Sequence, residues 1–169
     1  IGCLQEPAAN RLIKDGLSKV SEIDQDAVDF LYRITSGHPY YLQLLCSTLF
    51  EQVQEDSTSI THPLASETVD KWLARADEGR FFHLWAGDDQ AEEQHNKVIL
   101  SAIAGLSIDQ AEVSYDRLCE AVCGFVQEQH LMHALEDLTN MGVLKHDQLN
   151  YAIEVGLFAD WLRQHRPLK

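Results

Sequence analysis

The feature that most constrains the fold is a short break between two amphipathic helical stretches, at Ser36-Gly37-His38-Pro39. Apolar residues recur at helical spacing up to Ile34, and they do so again from Leu42 onward. Gly37 occupies the position where a helix often ends in a left-handed residue. Pro39 occupies the position where the next helix begins with its φ angle already set. The sequence therefore predicts a sharp, stiff joint between two helices.

Residues 1–77 are predicted to form four short amphipathic helices. Helices of this length cannot bury their apolar stripes alone, so we expect them to pack on one another as a bundle. Segment 55–59 has turn composition and no apolar period, and it is predicted to be a loop. The predicted helices run from Pro7 to about Asp15, from Asp24 as the cap to Gly37, from Pro39 to Gln54, and from Pro63 to about Ala76.

Aromatic and aliphatic side chains are concentrated in segment 81–85, which contains Phe81, Phe82, Leu84 and Trp85. Each large side chain gains about 1.5–3 kcal/mol on burial, so this cluster is costly to leave in water. We expect residues 78–88 to form an aromatic linker helix and a hinge that join the bundle to the following domain. The acidic run at 87–93 is interpreted as a solvated helix start, where carboxylates suit the dipole.

Residues 89–169 combine helical periodicity with strand alternation, unlike the all-helical pattern before them, which favours a second domain. Three helices are predicted at about 91–104, 115–122 and 127–141, followed by two strands near 142–145 and 151–155 with a turn at 146–148. Three helices followed by a β-hairpin is the order of a winged helix-turn-helix domain. The stretch 104–113 is longer than such a domain needs between its first two helices. A last helix carries Leu157, Phe158, Trp161 and Leu162 and has a basic end at Arg163, Arg166 and Lys169. The predicted fold class is therefore mainly α, with a four-helix bundle followed by a winged helix with one hairpin.

Three segments together resemble the region behind the ATPase core of STAND-type and archaeal or bacterial AAA+ ATPases. They are Gly-His-Pro-Tyr-Tyr-Leu-Gln-Leu-Leu-Cys at 37–46, Phe-His-Leu-Trp at 82–85 and Tyr-Ala-Ile-Glu-Val-Gly-Leu-Phe-Ala-Asp-Trp-Leu at 151–162. In that family a small helical lid with a Gly-x-Pro motif precedes a winged-helix domain. The resemblance implies a lid over residues 1–77 and a winged-helix domain over residues 89–169.

The resemblance also implies a nucleotide contact at the joint. Gly37, His38, Pro39 and Tyr40 would face the adenine or ribose of ATP or ADP. The N-terminus of the helix that starts at Pro39 is a surface for a phosphate, a carboxylate or a nucleotide edge. The alternative is a helix corner without a ligand, since a fit to a fold does not establish function.

The sequence contains no Gly-rich phosphate loop followed by Lys and Ser/Thr, and no apolar strand ending in an acidic pair that would hold magnesium. We therefore expect no catalytic residues and no hydrolysis by this chain alone, with ATP or ADP bound only together with an upstream ATPase core. The start at Ile-Gly-Cys-Leu leads us to expect a fragment of a longer protein. Residues 39–54 contain no Lys or Arg, whereas many AAA+ lids carry a sensor arginine on their third helix. That absence favours the STAND-like branch.

The charge of the chain indicates which classes of partner to expect. Twenty-seven acidic against 13 basic residues give a formal charge of −14, which disfavours nucleic acids and anionic membranes. In the helix at 126–140, the one that would enter a DNA groove, there are three carboxylates and no Lys or Arg. A winged helix that contacts proteins is preferred, and the resemblance also allows a nucleotide-dependent oligomer. The alternative is a DNA-binding transcriptional regulator that reads base edges with Gln127, Gln129 and Asn140.

The cysteines and histidines do not form a convincing metal motif. Cys119, Cys123, His130 and His133 share helical spacing but lack the ligand pair on a tight turn that structural zinc sites use, so no metal is expected. The four cysteines are expected to be reduced. No apolar run reaches about 18 residues and no leader pattern is present, so the expected location is the cytoplasm.

Overall fold

A computed structural model describes residues 2–18, 21–56, 59–107 and 112–167, with the backbone alone at 55 and 56. Part of the predicted loop (Ser57 and Thr58), part of the long link (108–111) and Lys169 of the basic end lie outside these described residues. The chain divides into two compact units, Ile1–Arg75 and Ala76–Lys169.

The first unit is a four-helix bundle, as predicted. Helix α1 packs against α2 and α3, and α4 packs against the same two helices. A single parallel bridge joins Ile23 to Ile60 outside the helices. The helices are α1 (Glu6–Leu17), α2 (Gln25–Thr35), α3 (Pro39–Asp56) and α4 (His62–Arg75).

A side-chain cap sets the start of α2. The Asp24 side chain accepts a hydrogen bond from the amide of Ala27 at 2.7 Å, which confirms the predicted cap of α2. The predicted end of α1 near Asp15 is wrong, because the helix continues through Gly16 to Leu17. Leu17 is fully buried, and that burial outweighs the low helix propensity of the preceding glycine.

The core of the first unit is built from the apolar stripes of its four helices. Some residues on these stripes are only partly buried, among them Phe30 and Ile34 on α2, Cys46 on α3 and Trp72 on α4. Partial burial raises the pKa of the Cys46 thiol to about 11, so the thiol is protonated at neutral pH. The fully buried large residues of this unit are Ile13, Leu17, Leu31, Tyr41, Leu42, Leu45, Leu49, Ile60 and Leu73.

The aromatic segment belongs to the second unit, although the sequence assigned residues 78–88 to a separate linker. It forms two short 3₁₀ turns, Glu78–Arg80 and Phe82–Leu84. Phe81 and Trp85 are completely buried, and their ring centroids lie 5.1–5.5 Å from those of Phe158 and Trp161. Phe82 faces outward instead, with 51% of its surface exposed. The segment therefore supplies half of an aromatic core.

The acidic stretch after the aromatic segment starts a helix, as predicted. The Asp89 carboxylate accepts hydrogen bonds from the amides of Ala91 at 2.8 Å and Glu92 at 2.9 Å. Gly87 packs closely on this first turn, since a Cβ there would lie 2.6 Å from that of Glu92. Segment 87–89 is therefore fixed to the first turn of the helix that follows it.

The remainder of the second unit has the order of a winged helix, which confirms the predicted fold class. Helix α5 packs against α6, α7 and α8, and α7 packs against β2. Its elements are α5 (Gln90–Leu106), β1 (Val113–Ser114), α6 (Tyr115–Val122), α7 (Glu128–Asn140), β2 (Leu144–Asp147), β3 (Asn150–Ile153) and α8 (Gly156–His165).

The three strands form an antiparallel sheet in the order β1-β3-β2. Strand β1 was not predicted, because two residues carry no periodic pattern; Val113 pairs with Tyr151. The predicted hairpin turn was placed two residues too early. His146 and Asp147 belong to β2, and the turn centres on Gln148, whose φ is +54°.

A half-buried cation, Lys97, holds the start of the second unit to its long helix. The Lys97 ammonium lies 2.7 Å from one oxygen of Glu78, and the Arg166 guanidinium lies 2.5 Å from the other. The hydrogen bond from Lys97 lowers the pKa of Glu78; desolvation opposes this effect, and Arg166 reinforces it. The Glu78 carboxylate therefore remains ionised between its two partners at neutral pH.

This arrangement predicts a specific sensitivity to acid. A carboxylate with a lowered pKa in the folded state contributes stability above its unfolded pKa of about 4.3 and loses it as the pH falls further. Thermal unfolding of the second unit below about pH 4.3 should therefore depend less on pH in Glu78→Gln than in the wild type. Glu120→Gln, at an exposed position on α6, is the control and should keep the wild-type profile. Identical profiles for Glu78→Gln and the wild type would contradict the assignment.

Candidate functional site

The joint between α2 and α3 contains two consecutive left-handed residues. Ser36 has φ 49° and ψ 31°, and Gly37 has φ 72°. The Gly37 amide donates to the carbonyl of Tyr32 at 3.3 Å, and the His38 amide donates to that of Thr35 at 2.9 Å. The last carbonyls of α2 are thus satisfied inside the joint. The predicted left-handed Gly37 is confirmed, while the left-handed Ser36 was not predicted.

A distant segment of the chain lies directly against this joint. The Leu4 amide donates to the carbonyl of Gly37 at 2.8 Å. A Cβ on Gly37 would lie 2.3 Å from the carbonyl oxygen of Leu4 and 3.1 Å from the ring of Tyr32. Both the backbone angle and the approach of Leu4 therefore require glycine at this position. This contact could not be predicted from the sequence, since Leu4 belongs to no recognisable motif.

Helix α3 begins at Pro39, as predicted. The Leu42 amide donates to the carbonyl of His38 at 3.0 Å, which closes the first helical turn. The positive end of the dipole of this 18-residue helix lies at the joint. Because α3 contains no Lys or Arg, its N-terminus can attract an anion only through backbone groups.

The aromatic residues after the proline have opposite exposures. Tyr41 is completely buried, whereas 41% of Tyr40 is exposed. Their ring centroids are 5.0 Å apart in an edge-to-face arrangement, and the His38 ring lies 4.9 Å from that of Tyr41. Burial raises the pKa of Tyr41 far above its ordinary value, and Tyr40 adds to the effect. Gly37 is buried and His38 and Pro39 are half-buried, so the most exposed of the four predicted site residues is Tyr40.

A second surface lies in the other unit, where α7 faces the hairpin β2–β3. An open groove of about 540 Å³ separates them. Met132 on α7 and Leu149 in the hairpin turn are exposed there by 60% and 64%. The groove is lined by Tyr115, Glu128, Met132, Leu135, Glu136, Thr139, Asn140, His146, Gln148, Leu149 and Tyr151. The groove could not be predicted from the sequence, because its two walls are separate elements that meet only when α7 packs on β2.

The two histidines that share helical spacing with Cys119 and Cys123 contact other side chains in the structure. His130 stacks on His95 with ring centroids 5.2 Å apart, and the Nε2 of His133 lies 3.2 Å from a carboxylate oxygen of Asp137. Cys119 is half-buried and Cys123 is exposed. Over the described residues, no three His, Cys, Asp or Glu side chains are grouped so as to hold a metal ion.

Comparison with known proteins finds a likeness to a solved structure. No protein-family model matches the chain, and neither does any curated protein. Among solved structures, the chain has an ATPase-related fold: it is similar to the Walker-type ATPase paby2304 of Pyrococcus abyssi, with a TM-score of 0.61 and 17% identity. The likeness covers 95% of this chain and 42% of that chain, so this chain spans less than half the length of the ATPase. None of the described helices combines the length and apolarity that crossing a membrane requires.

The geometry of the joint predicts opposite effects for two glycines in the same unit. Gly37→Ala should lower the free energy of unfolding by about 1–3 kcal/mol, because alanine is strained at this φ and its Cβ meets Leu4. Gly16→Ala, in α1 with open space around it, should raise that free energy by about 0.5–1 kcal/mol. Urea unfolding followed by circular dichroism measures both changes. Equal stability of the two variants would contradict the role of Leu4.

Proposed function

We propose that this chain is a regulatory, non-hydrolysing part of a STAND- or AAA+-type ATPase. In this proposal the first unit is a lid that contributes to nucleotide sensing, and the second mediates protein contacts within or between chains. The observation that carries it is the likeness of nearly the whole chain to part of a Walker-type ATPase. The Gly-His-Pro motif at the α2–α3 joint supports the finer assignment to a lid.

The nucleotide would be ATP or ADP, held mainly by an upstream ATPase core. The exposed ring of Tyr40 fits the flat face of adenine, and the N-terminus of α3 suits a polar or anionic edge. Gly37 does not by itself argue for a ligand, because the contact with Leu4 already requires glycine. We therefore assign the nucleotide contact chiefly to Tyr40 and the first turn of α3, with His38 and Pro39 shaping the joint.

Regulation would follow from a shift between two lid orientations. A nucleotide that touches the lid in only one orientation stabilises that orientation by its difference in affinity. Helix α3 offers no cationic side chain to a γ-phosphate, which supports a lid that senses the nucleotide rather than one that takes part in hydrolysis. The change in orientation would then alter the protein contacts of the second unit and allow nucleotide-dependent oligomers.

The decisive experiment removes the stacking surface and leaves the joint intact. In a protein that contains the ATPase core, Tyr40→Ala should weaken ATP and ADP binding about 5- to 150-fold, since base–aromatic stacking contributes about 1–3 kcal/mol. Isothermal titration calorimetry measures the change. Tyr40→Phe should retain the affinity, and so should Glu51→Ala, which alters an exposed residue farther along α3. Unchanged affinity in Tyr40→Ala would remove the nucleotide contact from the proposal.

The second candidate function is a DNA-binding transcriptional regulator. The winged-helix order of α6, α7 and the hairpin is the observation that favours it. The acidic side chains of α7 oppose it, since Glu128, Glu136 and Asp137 would face the phosphates of a duplex without any Lys or Arg on that helix.

We expect the chain to bind labelled duplex DNA more weakly than about 10⁻⁴ M even at low salt, because it lacks the basic surface that non-specific binding needs. Fluorescence anisotropy with random and candidate duplexes tests this, and a basic winged-helix protein serves as the positive control. Tight binding that falls steeply with added salt would replace the protein-contact role of the second unit.

A further inference from the structure

We propose that the groove between α7 and the β2–β3 hairpin docks a basic, amphipathic helical segment of a partner protein. This inference rests on the proposed protein-contact role of the second unit, and it adds the surface and the chemistry of the partner. It does not depend on nucleotide sensing by the first unit.

The apolar walls of the groove supply the first argument. Met132 on α7 and Leu149 in the hairpin turn are more than half exposed, although both are large apolar side chains. Two further residues line the groove: Leu135, which is buried, and Tyr151, which is half-buried. A cavity of about 540 Å³ admits several aliphatic side chains from one face of a helix. Burying Met132 and Leu149 under such a face removes both from water.

The charge around the groove supplies the second argument. Glu128 and Glu136 of α7 line it, and none of its lining residues in the described structure is Lys or Arg. Lys and Arg flanking an apolar stripe would therefore meet carboxylates on docking. The phosphates of nucleic acid would meet the same carboxylates and be repelled. The chemistry of this surface thus selects cationic amphipathic protein segments.

The same charge argues against a second copy of this chain as the occupant. A two-fold dimer through the groove would place identical patches against each other. Glu128 and Glu136 of one copy would then approach those of the other, in a chain whose net charge is already −14. A basic partner avoids this repulsion.

A designed peptide of about 18 residues, with Leu on one helical face and Lys on the other, is the probe. The labelled peptide is titrated with the whole chain and followed by fluorescence anisotropy, and NMR shifts map its position. We expect binding with shifts centred on Met132 and Leu149. A peptide with Glu in place of Lys, and one with the same composition but scattered Leu, should bind at least about tenfold more weakly.

Matched variants test whether the groove itself binds the peptide. Leu149→Asp should weaken binding about tenfold or more, whereas Phe82→Asp, at another exposed apolar position of the same unit, should not change it. Charge reversal at Glu128 and Glu136 should weaken binding several-fold, whereas Glu120→Lys on α6 should not. Circular dichroism checks that each variant is folded, and Leu149→Ala provides a milder replacement where Leu149→Asp unfolds.

Three results would overturn the inference. The first is peptide binding that is unchanged in the groove variants. The second is a dimer in light scattering that Leu149→Asp abolishes. The third is binding of labelled duplex DNA, without peptide present, that Leu149→Asp abolishes. If the peptide does not bind in the groove while the chain still binds the ATPase core through another surface, the proposed function stands without this site. If the chain binds neither the peptide nor the core, the protein-contact role of the second unit fails as well.

Discussion

The first unit depends on a backbone contact between Leu4 and Gly37. The amide of Leu4 binds the carbonyl of Gly37, and the two backbones approach so closely that no side chain fits between them. Leu4 lies just before α1, while Gly37 lies between α2 and α3. One contact therefore fixes the entry of α1 against the joint of the next two helices.

Gly37 shows that a short sequence motif can be required by the fold alone, so its presence does not establish a function. The glycine of the Gly-x-Pro motif, Gly37, is required here by a left-handed backbone and a close neighbour, whether or not a nucleotide binds. The functional question therefore moves to Tyr40, the most exposed residue of the joint. Its ring packs edge-to-face on the buried Tyr41, and 41% of the residue remains exposed to solvent.

The second unit is organised by aromatic packing and charge. Phe81 and Trp85 pack on Phe158 and Trp161, which joins the start of the unit to its last helix. The Glu78 carboxylate ties the start of the unit to α5 through Lys97 and to the end of α8 through Arg166. These contacts leave α7 and the hairpin turn facing outward with exposed methionine and leucine between carboxylates. The proposed protein contacts of the second unit rest on this surface.

The sequence by itself determined the helices, the joint and the hairpin, because helical periodicity, capping residues and strand alternation are local. It also identified Gly37 and Pro39 as the residues that shape the joint. Only the tertiary structure decided that α1 runs through Gly16, that Val113 adds a third strand, and that Leu4 covers Gly37. The groove beside α7 also could not be predicted from the sequence. Each of these features depends on residues far apart in the chain, and no local pattern records which distant neighbour a residue will meet.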